Sequence, residues 1–174
     1  ANRSGNELAD NAPSPKGPGR RWKVDEAVAA VDSLGLNHGN FEQGKAMFAA
    51  SMCIYCHTMK GEGGVAGPDL TQLGSRFSTK DILEAIIEPD KTISDQYGAT
   101  VFSLKDGGSV TGRLVKQDDN TYYISQNPFA PQDLKEVSKK SVQSTRISEV
   151  SPMLPGMINR LNPEELRNLM ACLI

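Results

Sequence analysis

The chain has 174 residues, enough for one hydrophobic core, with one to two domains expected at that length. Lys plus Arg less Asp plus Glu is 19 − 21 = −2, so no basic footprint marks nucleic acid as a partner. No apolar run approaches the ~18 residues that would span a bilayer, and three cysteines, an odd number, exclude a disulfide framework as the design.

In chain order, residues 1–20 interleave Pro13, Pro15 and Pro18 with Gly17 and Gly19 and contain one leucine; they read as a disordered linker. The chain opens on Ala1 rather than Met, so a processed chain or a piece of a longer one is expected, and no signal peptide is visible. Residues 21–38 form an N-terminal helical extension. Val24, Ala27, Val28, Val31 and Leu34 stand there at helical spacing, Gly35 ends the run, and Trp22 is expected to anchor it.

A second helical stretch, residues 41–52, carries Phe41, Met47 and Phe48 and runs directly into Cys53. Residues 61–69 hold four glycines and a proline, which predicts a loop with tight turns. Ser78 to Asp81 opens a short helix containing Ile82, Leu83, Ile86 and Ile87, and Pro89 ends it.

Beyond Pro89 the hydrophobic period changes. Residues 99–104 and 109–115 are β-rich and joined by Lys105-Asp106-Gly107-Gly108, a hairpin signal. Asp118 to Asn120 marks another turn before Thr121 to Ile124, and weaker strands are expected near 134–137 and 142–147. Residues 151–157 read as a loop. The last helix is signalled by Asn162 as cap, Pro163 at its first position, Glu164 and Glu165 in the first turn, and an apolar stripe of Leu166, Leu169, Met170 and Leu173.

Cys53-Ile54-Tyr55-Cys56-His57 is the pattern C-x-x-C-H, the c-type haem attachment signature. Two thiols three positions apart on one turn reach the two vinyl groups on one haem edge, and the adjacent imidazole reaches the iron as proximal ligand. A thioredoxin-like pair would need a βαβ context, whereas here a helix precedes the motif and a Gly-rich loop follows it. A zinc site would need four ligands, and only Cys172, His38 and acidic groups remain to supply them.

The chain resembles the class I cytochromes c. Gly44-Lys45-Ala46-Met47-Phe48 precedes the attachment motif, Gly67-Pro68-Asp69-Leu70 follows it, and a helix closes the chain. It is similar, more narrowly, to the haem-binding domains at the C-terminal end of planctomycete and verrucomicrobial multidomain dehydrogenase-like proteins. That likeness rests on Gly67 to Thr71, Ile86-Ile87-Glu88-Pro89, Ile93 to Tyr97, Leu104 to Gly107 with Gly112, and Ser151 through Gly156. The resemblance implies a mainly α cytochrome c fold over residues 39–174, with a small antiparallel β subdomain inserted at about 98–150, before a Met-ligand loop. The insert is also similar, over a short stretch, to the first strands of Sm-like barrels, and is expected to serve as scaffold or docking surface.

The resemblance further implies one covalent haem c with His/Met ligation. The sixth ligand would come from the C-terminal half, where Met153 and Met157 lie in the Pro/Gly loop and Met170 lies on the apolar stripe of the last helix. The family pattern of Ser, one residue, Met, Pro, one residue, Gly is matched by Ser151, Met153 and Gly156, with Pro155 one place late; it assigns Met153, with Met157, His38 or an open site as alternatives. Pro68 resembles the proline whose carbonyl accepts from the proximal imidazole, and Arg76 a residue that neutralises a haem propionate. Cys172 is expected to be a buried free thiol.

The function so implied is electron transfer, not substrate turnover, in a periplasmic or equivalent space. A dehydrogenase would be the donor, and a soluble carrier or oxidase the acceptor. The alternative is a gas sensor or haem enzyme with an open distal site.

Overall fold

The computed structural model describes residues 5–174, so the first four residues of the expected linker lie outside the described residues. The chain forms two compact units. One runs through Pro89 and resumes at Leu154–Ile174; the other is Asp90–Met153.

In chain order the first unit comprises α1 (Gly5–Asp10), α2 (Val24–Leu34), α3 (Phe41–Ala50), α4 (Cys53–Cys56), the two-residue strands β1 (Thr58–Met59) and β2 (Glu62–Gly63), α5 (Thr79–Ile87) and α6 (Pro163–Leu173). Local chemistry sets the helix starts. The Asn40 side chain accepts the Gln43 N–H (2.9 Å) at α3. Reciprocal capping boxes, Ser78 with Asp81 and Asn162 with Glu165, open α5 and α6.

Helix α6 is the centre of this unit and packs on α3 and α2. Leu166, Leu169 and Met170 are fully buried, and each such side chain contributes about 1.5–3 kcal/mol of burial. The approach of α3 to α6 is close because Gly44 has no side chain: a Cβ there would collide with the Asn168 carbonyl and meet the Cys172 Cβ at 2.7 Å.

Residues 5–20 correct the reading of a disordered linker. Residues 5–10 are helical, and the segment beyond them is bonded to the start of α6. The buried Glu165 carboxylate accepts the backbone N–H groups of Lys16 (2.5 Å) and Gly17 (3.3 Å), and the Asn162 Nδ2–H donates to the Gly17 carbonyl (3.0 Å). Pro and Gly rule out a long helix here, but an extended segment can still dock when a partner supplies acceptors. That partner lies some 145 residues away in sequence, where local composition cannot register it.

The second unit is a five-stranded antiparallel sheet of β3 (Thr100–Leu104), β4 (Ser109–Gln117), β5 (Thr121–Ser125), β6 (Leu134–Ser138) and β7 (Val142–Ile147), in the order β6-β5-β4-β3-β7. The β3–β4 hairpin turns at Gly107 (φ +89°), with the Asp106 side chain accepting the Gly108 N–H (2.8 Å). Phe102, Val110, Ile124 and Val137 form its core, as alternation at period two requires. Where the chain enters and leaves, the Ser151 N–H donates to the Asp90 carboxylate (2.6 Å), joining the unit's first residue to a residue two before its last.

Candidate functional site

Helix α3 ends at Ala50, and Met52 takes a left-handed conformation (φ +62°) that redirects the chain into α4. This short helix is the attachment motif itself. Ile54 points into the core, while Cys53, Cys56 and His57 are half-buried. None of the three cysteines is in a disulfide. Burial pushes the Cys53 thiol up to about 12 and raises those of Cys56 and Cys172, so the chain holds neutral thiols rather than nucleophilic thiolates.

The glycine loop after the motif wraps back on it. The Gly64 N–H donates to the Ile54 carbonyl (2.8 Å), the Gly67 N–H to the Cys56 carbonyl (2.7 Å), and the Leu70 N–H to the Thr58 carbonyl (2.8 Å). At Gly63 and Gly64 an added Cβ would collide with the His57 and Tyr55 carbonyls, so the backbone of the loop can lie against the motif only without side chains there. An ion pair between Lys45 on α3 and Glu62 (2.5 Å) spans the same region; both are partly exposed and contribute about 0–1 kcal/mol.

His57 is the best-positioned group. Its Nδ1 lies 2.9 Å from the Pro68 carbonyl oxygen. A carbonyl only accepts, so Nδ1 carries the proton and Nε2 is left with its lone pair. Burial lowers the imidazole below its ordinary value, against the smaller opposing effect of the Pro68 bond, and favours the neutral ring that a metal requires. Gly67 makes room for the ring: a Cβ there would stand 2.6 Å from Cε1 and 2.8 Å from Nδ1.

These residues fit a c-type haem. Two thiols outside any disulfide sit one turn apart, beside an oriented imidazole whose Nε2 keeps its lone pair, on a backbone shaped around it. The buried Ser51 hydroxyl, two positions before Cys53, has no hydrogen-bond partner among the described residues. Zinc fits poorly, since among the described residues no three His, Cys, Asp or Glu side chains gather as a metal would need.

The structure brings Cys53, Cys56, His57 and Pro68 together. Arg76 is exposed, at the end of the turn Leu73–Ser75, with its guanidinium over the neighbouring Phe77 ring (5.4 Å). His38 is exposed as well, and Met170 is fully buried in α6. Met153 is the last residue of the second unit and Met157 belongs to the first; both are half-buried. The Met153 N–H donates to the Ser151 hydroxyl (3.1 Å), and Ser151 is in turn held by Asp90. Sequence reasoning missed the roles of Gly67 and Asp90. The run of glycines after the motif was a visible signal for the first; nothing local signals the second.

A family model described as cytochrome c matches residues 41–119, which span the attachment motif and the first strands of the sheet. That match supports a c-type cytochrome that carries haem and transfers electrons. No curated protein matches the chain. Among the described residues no helix is long and apolar enough to cross a membrane.

Proposed function

We propose that the chain is a one-electron carrier of the class I type, with a β subdomain inserted before its Met loop and with haem c held through thioether bonds to Cys53 and Cys56. Haem, when bound, supplies the Fe(III)/Fe(II) couple. The observation that carries the reading is the His57–Pro68 pair: the carbonyl fixes the tautomer, presents Nε2 as a ligand and raises its basicity. Met153 would be the second residue to hold the iron, on its place in the Pro/Gly loop and its match to the family pattern. Arg76 is assigned to a propionate.

With both an imidazole and a thioether holding the iron, no position would be left for oxygen or peroxide, and the residues favour transfer over turnover. A neutral, soft thioether favours the reduced state, which places the midpoint at roughly +100 to +350 mV within the wide span that axial ligands command. Such a potential suits a carrier fed by a dehydrogenase and drained by a soluble carrier or oxidase. Covalent haem attachment is an extracytoplasmic process in bacteria, which puts the protein in the periplasm or an equivalent space.

Spectroelectrochemistry with carbon monoxide as a probe tests the reading. A positive midpoint and no rapid CO binding at neutral pH are expected. A strongly negative midpoint, or fast CO binding to the reduced protein, would favour bis-His ligation or an open-site sensor.

A further inference from the structure

Residues 16–22 lie beside the segment that leads from Met153 to α6. Trp22 is buried, and its indole Nε1–H donates to the Leu161 carbonyl (3.1 Å) while its backbone N–H donates to the Asn159 side-chain oxygen (3.3 Å). Gly19 lies so close that a Cβ would stand 2.7 Å from the Arg160 Cα and collide with the Asn159 carbonyl. Lys16 and Gly17 bind Glu165, and Gly17 binds Asn162. Every residue from 159 to 162, and Glu165 beyond, therefore meets this strap.

The strapped segment has little structure of its own. Residues 151–162 contain no helix or strand. Beyond Met153 its internal order comes from two turn bonds, Asn159 N–H to the Gly156 carbonyl and Leu161 N–H to the Ile158 carbonyl (both 3.1 Å), and from burial of Ile158 and Leu161. Gly156 is left-handed (φ +81°), and an added Cβ there would press on the Asn159 amide at 3.1 Å, so Asn159 links the turn to Trp22.

We propose that Trp22 and Asn159 are positioning residues for the thioether ligand: the strap fixes the end of the loop and so keeps the methionine side chain on the iron. This rests on the His/Met reading above. A neutral thioether holds ferric iron weakly, so its retention depends on how little freedom the loop regains when the bond opens. Pre-organising the loop from outside limits that freedom.

The test uses the haem-loaded full chain with imidazole as the competing ligand. Trp22→Phe keeps a buried ring and deletes the Nε1–H donor; Asn159→Ala deletes the acceptor for the Trp22 N–H. Both variants are expected to bind imidazole in the ferric state about tenfold more tightly than wild type. Both should lose the thioether-to-iron charge-transfer band at correspondingly lower imidazole, and the urea midpoint should fall further in the ferric than in the ferrous protein. A wild-type band with unchanged imidazole affinity in both variants would overturn the strap's role alone. An equal loss of stability in ferrous and ferric protein would also overturn it, by showing a general structural effect. A wild-type protein with no thioether band would overturn the ligand reading and this inference together.

Discussion

His57 and Pro68 stand eleven residues apart and meet through one hydrogen bond, Nδ1 to carbonyl oxygen at 2.9 Å, directly over the backbone of Gly67. The bond sets which nitrogen is free, and the glycine sets where the ring can lie. Gly67→Ala would put a methyl group 2.6 Å from Cε1. Displacing the ring and breaking the bond is expected to cost about 1–3 kcal/mol, read as a lower urea midpoint, with attachment through the cysteines unchanged. A Gly67→Ala protein as stable as wild type would show that the ring has other room.

Met153 and Met157 are separated by an alanine substitution at each. Met153→Ala should abolish the thioether charge-transfer band and lower the midpoint, on the order of 100 mV within the span that axial ligands command. Met157→Ala should leave both nearly intact. The reverse pattern would move the ligand to Met157.

The haem-free chain should lose stability as pH falls through the histidine range. Burial depresses the folded imidazole of His57 below its ordinary value of 6.5. Between the folded and unfolded values the unfolded chain binds more protons, so stability rises with pH there and is fully present above about 6.5. Urea titrations at pH 7.5 and 5.5 should show the drop, and His57→Gln should shrink it. A His57→Gln chain with the same pH dependence would assign the effect to other groups.

Gly44 decides between two opposing effects. Alanine in a helix interior is favoured over glycine by about 0.8–1 kcal/mol. At this position, however, a Cβ would strike the Asn168 carbonyl and meet the Cys172 Cβ at 2.7 Å. Backbone gives way at a cost of about 1–3 kcal/mol, so Gly44→Ala is expected to destabilise the protein on thermal melting. A raised melting temperature would show that α3 and α6 separate freely.

The parts of the structure that were legible in the sequence are those that rest on local signals. The Asn162-Pro163-Glu164-Glu165 start and the stripe ending at Leu173 are a complete helix statement, and α6 follows it. Asp106-Gly107 between two alternating runs is likewise a local statement of the β3–β4 hairpin. Local composition does not reveal the order of residues 5–20, because it depends on Glu165, Asn162 and Asn159, groups far along the chain. The attachment motif is readable because its chemistry sits within five residues. The hold of Asp90 on Ser151, and through it on Met153, crosses 61 residues and leaves no mark in either local stretch.

The most direct measurement is the intact mass of the denatured protein, produced with a haem-attachment system and compared with Cys53→Ala and Cys56→Ala variants. The wild-type chain is expected to keep its colour after denaturation and to gain the mass of one haem, and each variant to retain at most a single thioether bond. A colourless denatured chain of unmodified mass, with its haem released into acidic acetone, would contradict it.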